Sequence, residues 1–188
     1  MQVRHRAAAL ITVAALALAG CGDATSDGGA PPADTPGAPA TSAQPEAAPP
    51  DSSVAESYDF TVATLNGPAF DGRDLAGSPA VLWFWAPWCS TCLGQAKRVN
   101  ALAADYADQA TVLGVAGLDG EPAMHEFVKM AGLSGFTQLS DEQGVVWKKF
   151  GITAQSTFVV LDSDGAVVDR GHLDVDELPA TLDRLLAD

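Results

Sequence analysis

Cys89 and Cys92, separated by Ser90 and Thr91, are the side chains of this 188-residue sequence best placed to do chemistry. Two intervening residues in a first helical turn bring both sulfurs within disulfide distance and leave Cys89 at the helix N-terminus. Unpaired backbone N–H groups and the helix dipole favour a thiolate there, so Cys89 suits a nucleophile or leaving group. Cys92, one turn deeper, can then attack a mixed disulfide and release its other half. Rival readings of the pair are weaker. A zinc site needs further ligands, but the third thiol, Cys21, lies in a leader-like stretch, and His125 and His172 are not at ligand spacing. Both histidines read as solvated or locally bonded. A purely structural bond across four residues closes too short a loop to stabilise much.

The setting strengthens the motif. Val81-Leu82-Trp83-Phe84-Trp85, just before it, is a continuous apolar run of strand length, typical of a strand buried on both faces. After it, Leu93, Ala96, Val99, Leu102, Ala103 and Tyr106 fall at helical spacing. Val112 to Val115 begin a second buried strand. Pro122 then opens a helix carrying Met124, Phe127, Val128 and Ala131. Trp147, Lys148 and Lys149 fit an amphipathic helix. Asp162-Ser163-Asp164-Gly165 joins strands at Thr157–Leu161 and Ala166–Val168, a strong hairpin signal. Asp174 with Glu177 predicts a capping box for a last helix with Leu178, Leu182, Leu185 and Leu186. This order describes an α/β sandwich with a central mixed β-sheet flanked by helices.

The ends of the chain are different materials. Arg4 and Arg6 precede a 13-residue apolar stretch, Ala7–Ala19, the length of a signal h-region and too short to span a membrane. It ends in Leu18-Ala19-Gly20-Cys21, which resembles the lipobox of bacterial lipoproteins; that resemblance implies lipid on Cys21 and cleavage of residues 1–20. From Cys21 to residue 57 the chain reads as a lipidated cysteine and a disordered tether. Seven of the twelve prolines fall there, with no Lys or Arg. A coil of that length reaches ~30–35 Å. The folded domain is expected over 58–188. The formal charge is −14, and loss of Arg4 and Arg6 with the leader makes it −16. Such a balance excludes a nucleic-acid binder, which needs a basic face. Nothing in the sequence suggests a metal, nucleotide or haem cofactor.

Phe84-Trp85-Ala86-Pro87-Trp88-Cys89-Ser90-Thr91-Cys92 resembles the active-site stretch of the thioredoxin superfamily, and within it the exported, tethered thiol:disulfide oxidoreductases of the TlpA/ResA and DsbE/DsbF-like type. Gly151-Ile152, the strand at Thr157 and the Asp162/Gly165 hairpin follow in the family's order. The resemblance implies a thioredoxin-like fold, Cys89 as attacking thiol, Cys92 as resolving thiol and a hydrophobic groove formed partly by Trp88. It also implies exported protein thiols or disulfides as substrates and a membrane redox partner. The location implied is the outer face of the cytoplasmic membrane of a bacterium, and lipobox plus tether is similar to actinobacterial DsbF-like members. A peroxiredoxin-type peroxidase does not fit, since no Pro-x-x-x-Thr-x-x-Cys surrounds either cysteine.

Three departures from that pattern stand out. Ser156, followed by Thr157, stands where the family places a cis-proline facing the disulfide; a cis bond to a non-proline residue costs ~2.5–4 kcal/mol, so the loop is expected to be re-routed or strained. The Ser156 hydroxyl is placed either to donate to the Cys89 thiolate or to alter the substrate edge. Gln95 and Lys97 replace a Glu and a helix-kinking Pro, which predicts a straighter helix. Trp83 occupies the place of a buried Asp, so no base for Cys92 is evident. Export and the missing carboxylate favour oxidation of secreted thiols over a reductase serving cytochrome maturation. A redox-inactive groove that binds peptides is the reading from another class, kept open by Ser156.

Overall fold

The computed structural model describes residues 56–187. The leader, Cys21 and most of the tether lie outside the described residues. Glu56 and Ser57, expected to close the tether, lie within them. Glu56 is already tied to the domain, its carbonyl oxygen accepting a hydrogen bond from Lys149 Nζ at 2.7 Å.

Seven strands form one mixed sheet, β1 (Thr61–Thr64), β2 (Phe70–Asp71), β3 (Ala80–Trp85), β4 (Thr111–Ala116), β5 (Thr137–Ser140), β6 (Thr157–Leu161) and β7 (Val167–Gly171). Their spatial order is β2-β1-β5-β4-β3-β6-β7. β3, β4 and β5 run parallel; β6 lies antiparallel to β3, with Phe84 opposite Thr157. β3 and β6 are buried at every position, as expected of strands covered on both faces. Alternation along β3 divides the core. Val81, Trp83 and Trp85 face helices α1 (Ser90–Asp105), α2 (Glu121–Ala131) and α4 (Leu178–Ala187), joined by Phe158, Val160 and Phe127. Leu82 and Phe84 face the opposite layer, with α3 (Val145–Lys149), Trp147, Phe150 and the incoming segment Tyr58–Val62. Each fully buried side chain of this kind contributes roughly 1.5–3 kcal/mol by area removed from water.

Several expectations need correction. β1, β2 and β5 were not foreseen. β7 starts at Val167 and runs to Gly171, so Ala166 belongs to the turn, its N–H bonded to Asp162 Oδ1 at 2.8 Å. Asp174 caps a short 3-10 turn, Val175–Glu177, that feeds α4, accepting from the Asp176 N–H at 3.1 Å. On α1 the buried face is Cys92, Gln95, Ala96, Val99, Leu102 and Ala103; Leu93 is exposed. The helix runs unbroken through Gln95 and Lys97.

Candidate active site

The site grows out of the C-terminal end of β3. Trp85 ends the strand, and a short turn, closed by the Cys89 N–H on the Ala86 carbonyl at 3.1 Å, carries the chain into α1. Cys89 is the N-cap of that helix. Its φ of −83° and ψ of 105° are extended, and its Sγ accepts the Cys92 N–H at 3.0 Å. A sulfur thus takes the place that a Ser or Asp oxygen usually fills, satisfying one of the four orphan donors of the first turn. Cys89 and Cys92 are disulfide-bonded with their Cα atoms 5.2 Å apart. The pair is asymmetric: Cys89 retains 5% exposure and Cys92 none. Trp88 projects into solvent at 57% exposure, and Ser90 and Thr91 are exposed beside it.

A buried network joins one residue from each of the three departures, Trp83, Gln95 and Ser156. Gln95 Oε1 accepts the indole N–H of Trp83 at 3.0 Å and the hydroxyl of Ser156 at 3.2 Å, with all three residues buried. An indole nitrogen can only donate, so the Trp83 contact fixes which way the Gln95 amide points. Both acceptor positions of that oxygen are filled. With Cys89 in the disulfide, the Ser156 hydroxyl donates to Gln95 and not to Cys89 Sγ. Ser156 is held at two further atoms, its N–H donating to the Phe84 carbonyl at 2.8 Å and its own carbonyl accepting from His172 Nδ1 at 3.0 Å. Its φ of +65° lies in the left-handed region, so the loop before β6 is re-routed and strained. Thr157, next along, donates its hydroxyl to the Ala154 carbonyl at 2.8 Å and closes the same loop.

Residues that sequence reasoning overlooked sit around this frame. Trp85 repeats the logic of Trp83, its indole N–H donating to Gln138 Oε1 at 3.0 Å inside the core. Gly114 makes room for that amide, since a Cβ there would collide with Gln138 Oε1. Asp141, the buried carboxylate, is occupied by the N–H groups of Val145, Val146 and Trp147 at 2.7, 2.9 and 2.9 Å, and so caps α3. Among the described residues, no three His, Cys, Asp or Glu side chains come together as a metal site.

Similarity to known proteins points the same way as the geometry. The model of the AhpC/TSA family matches residues 55–170. The soluble secreted antigen MPT53 of Mycobacterium tuberculosis is 42% identical over 111 residues, 58% of this chain and 62% of that protein, so the chain spans less than two thirds of this relative. Among solved structures, that of MTB DsbF in its mixed oxidised and reduced forms shares 45% identity, covers 69% of this chain and 97% of its own, and superposes with a TM-score of 0.65. A secreted Mycobacterium tuberculosis disulfide oxidoreductase described as homologous to E. coli DsbE gives 36% identity, 69% and 98% coverage, and a TM-score of 0.62.

Proposed function

The chain belongs to the AhpC/TSA family and has its thioredoxin-like fold, and from that premise we propose that it is a thiol:disulfide oxidoreductase that oxidises exported protein thiols. One observation carries the reading: a disulfide whose outer sulfur caps a 16-residue helix while the inner sulfur is sealed from water. A substrate thiolate attacks Cys89 Sγ, forming a substrate–Cys89 disulfide; the Cys89–Cys92 bond breaks, and Cys92 leaves with the electron pair and takes up a proton. A second substrate thiolate attacks the substrate sulfur of that mixed disulfide and expels Cys89 as a thiolate stabilised by the Cys92 N–H and the helix dipole. Counted from two substrate thiols, the substrate loses two electrons and two protons; the pair takes both electrons and one proton, held on Cys92, and the other proton passes to solvent. Cys89 and Cys92 are the catalytic residues, with Trp88, Ser90, Thr91, Ser156 and Thr157 around them.

Three features support oxidation over reduction. Among the described residues no carboxylate is hydrogen-bonded to Cys92, the neighbouring acceptor on Gln95 is neutral and filled, and the leader points to an oxidising compartment. Lipidation of Cys21 and residence on the outer face of the cytoplasmic membrane rest on the lipobox-like stretch; Cys21→Ala is expected to release the protein from the membrane fraction. Equilibration with glutathione tests the direction. The expected potential lies well above the ~−270 mV of thioredoxin, and a value near that figure overturns oxidation as the direction.

A further inference from the structure

In a chain of formal charge −14, one groove is lined by cations. Of the ten Lys and Arg side chains two lie in the leader, and three of the remaining eight, Lys148, Lys149 and Arg170, border a single open groove of about 490 Å³. Each is held in place by a backbone carbonyl. Lys148 Nζ donates to Gln143 at 3.0 Å, Lys149 Nζ to Glu56 at 2.7 Å and Arg170 Nη1 to Phe150 at 3.1 Å. A carbonyl fixes a cation without neutralising it, and one such bond leaves each ammonium or guanidinium with donors to spare. Among the described residues, none of the three forms an ion pair, and Glu56 is the one acidic residue on the lining. The C-terminal dipole of α3 accounts for cations at Lys148 and Lys149. It does not account for Arg170, which reaches the same groove from β7.

The groove also has an apolar lip and a fixed place in the chain. Val167, on the edge strand β7, lies on the same lining and is 47% exposed. Glu56 and Ser57 line it too, so it opens where the tether enters the domain. Cations next to an exposed apolar side chain match an anionic bilayer surface, with phosphate outside and hydrocarbon beneath. Three cations, each worth on the order of fivefold in affinity, are too few to recruit a chain that is otherwise negative. They need not do so. An anchor on Cys21 holds the domain within ~30–35 Å of the surface, where local concentration lets a weak contact be occupied. Trp88, Cys89, Cys92 and Ser156 are not on the lining, so the groove is separate from the disulfide site.

We propose that Lys148, Lys149 and Arg170 dock the anchored domain on anionic phospholipid. This rests on the lipidation reading above. In the oxidised chain from Cys21 onward, Cys21 is the one free thiol, so it can be coupled to a maleimide lipid that supplies the anchor chemically. Vesicles of phosphatidylcholine alone are compared with vesicles that are about one third phosphatidylglycerol. Lysine acetylation is read by mass spectrometry, with the exposed Lys97 and Lys129 as internal references. On the anionic vesicles Lys148 and Lys149 are expected to react about threefold more slowly than on neutral ones, an effect lost at about 1 M salt, while Lys97 and Lys129 keep their rates. Arg170→Gln should lose most of that protection, and so should Lys148→Gln read at Lys149; both should keep the parent's rate of reduction by dithiothreitol. Equal acetylation on the two vesicle types, or equal protection of all four lysines, overturns the docking proposal. Protection already present without vesicles and removed by salt assigns the groove to the chain's own acidic tether and overturns it as well. Because the vesicle anchor is chemical, these outcomes stand apart from the lipidation reading, which fails if the Cys21→Ala protein stays in the membrane fraction.

Discussion

Restoring proline at position 156 is expected to damage the domain. Proline fixes φ near −65°, whereas Ser156 sits at +65°. It also removes the N–H that donates to the Phe84 carbonyl at 2.8 Å and the hydroxyl that donates to Gln95 Oε1 at 3.2 Å. Leaving the Phe84 carbonyl unpaired costs about 1–3 kcal/mol, and losing the hydroxyl bond costs about 0.5–1.5 kcal/mol. Forcing the loop out of its left-handed turn adds to both, for a total of about 2–5 kcal/mol. Ser156→Gly loses the hydroxyl bond but relieves the left-handed strain, about 1–2 kcal/mol, so its net effect is expected to fall within about 1 kcal/mol of zero. The assay is urea unfolding of the oxidised proteins side by side, with the slope checked for constancy so that midpoints report stability. A Ser156→Pro protein as stable as the parent, or a Ser156→Gly protein far less stable, would refute the assigned loop geometry.

Other perturbations probe the same frame. Gln95→Leu strands the rigid indole N–H of Trp83 in a dry core and frees the Ser156 hydroxyl, so a loss of about 2–4 kcal/mol is expected by denaturant unfolding, while Gln95→Met offers no rescue because it too lacks a strong acceptor. Asp141→Ala leaves three N–H groups of α3 without their acceptor; a cost of about 2–3 kcal/mol is expected, with Asp141→Asn intermediate because one amide oxygen remains. The Tyr106 phenol is pushed up to about 12, first by its hydrogen bond to Asp183 at 2.6 Å and then by burial. Its native state therefore holds the proton more tightly than the unfolded chain, whose phenol titrates near ~10. The stabilisation is complete below pH ~10 and is lost as pH rises towards 12, so the parent should lose stability over that window relative to Tyr106→Phe.

The parts of the molecule legible in the sequence are those where one residue type has one physical use. Five consecutive apolar residues at Val81–Trp85 have nowhere to go but a strand covered on both faces, and Asp162-Ser163-Asp164-Gly165 has few conformations other than a tight turn. The two cysteines at a strand-to-helix junction fall into the same class. β1, β2 and β5 escaped because they are two to four residues long and half polar, and their pairing is decided by neighbours distant in sequence. The burial of Gln95, noted in the sequence only as a replacement, and of Gln138 went unseen because glutamine is usually exposed. A signal did exist: Trp83 and Trp85 are buried donors on one strand, and each requires a buried acceptor. Leu118, at φ +63°, gave no signal, because nothing in a leucine announces a left-handed backbone; the Trp147 indole that a Cβ at Gly117 would meet becomes visible only in three dimensions.

Iodoacetamide alkylation of the reduced protein, followed residue by residue across pH 4–10, measures the central asymmetry most directly. Cys89 should react with an ionisation midpoint well below the ~8.5 of a free thiol, and Cys92 should stay protected throughout the folded range. Two thiols titrating together near 8.5, or Cys92 reacting first, would contradict the assignment of Cys89 as the sulfur that exchanges bonds with substrate.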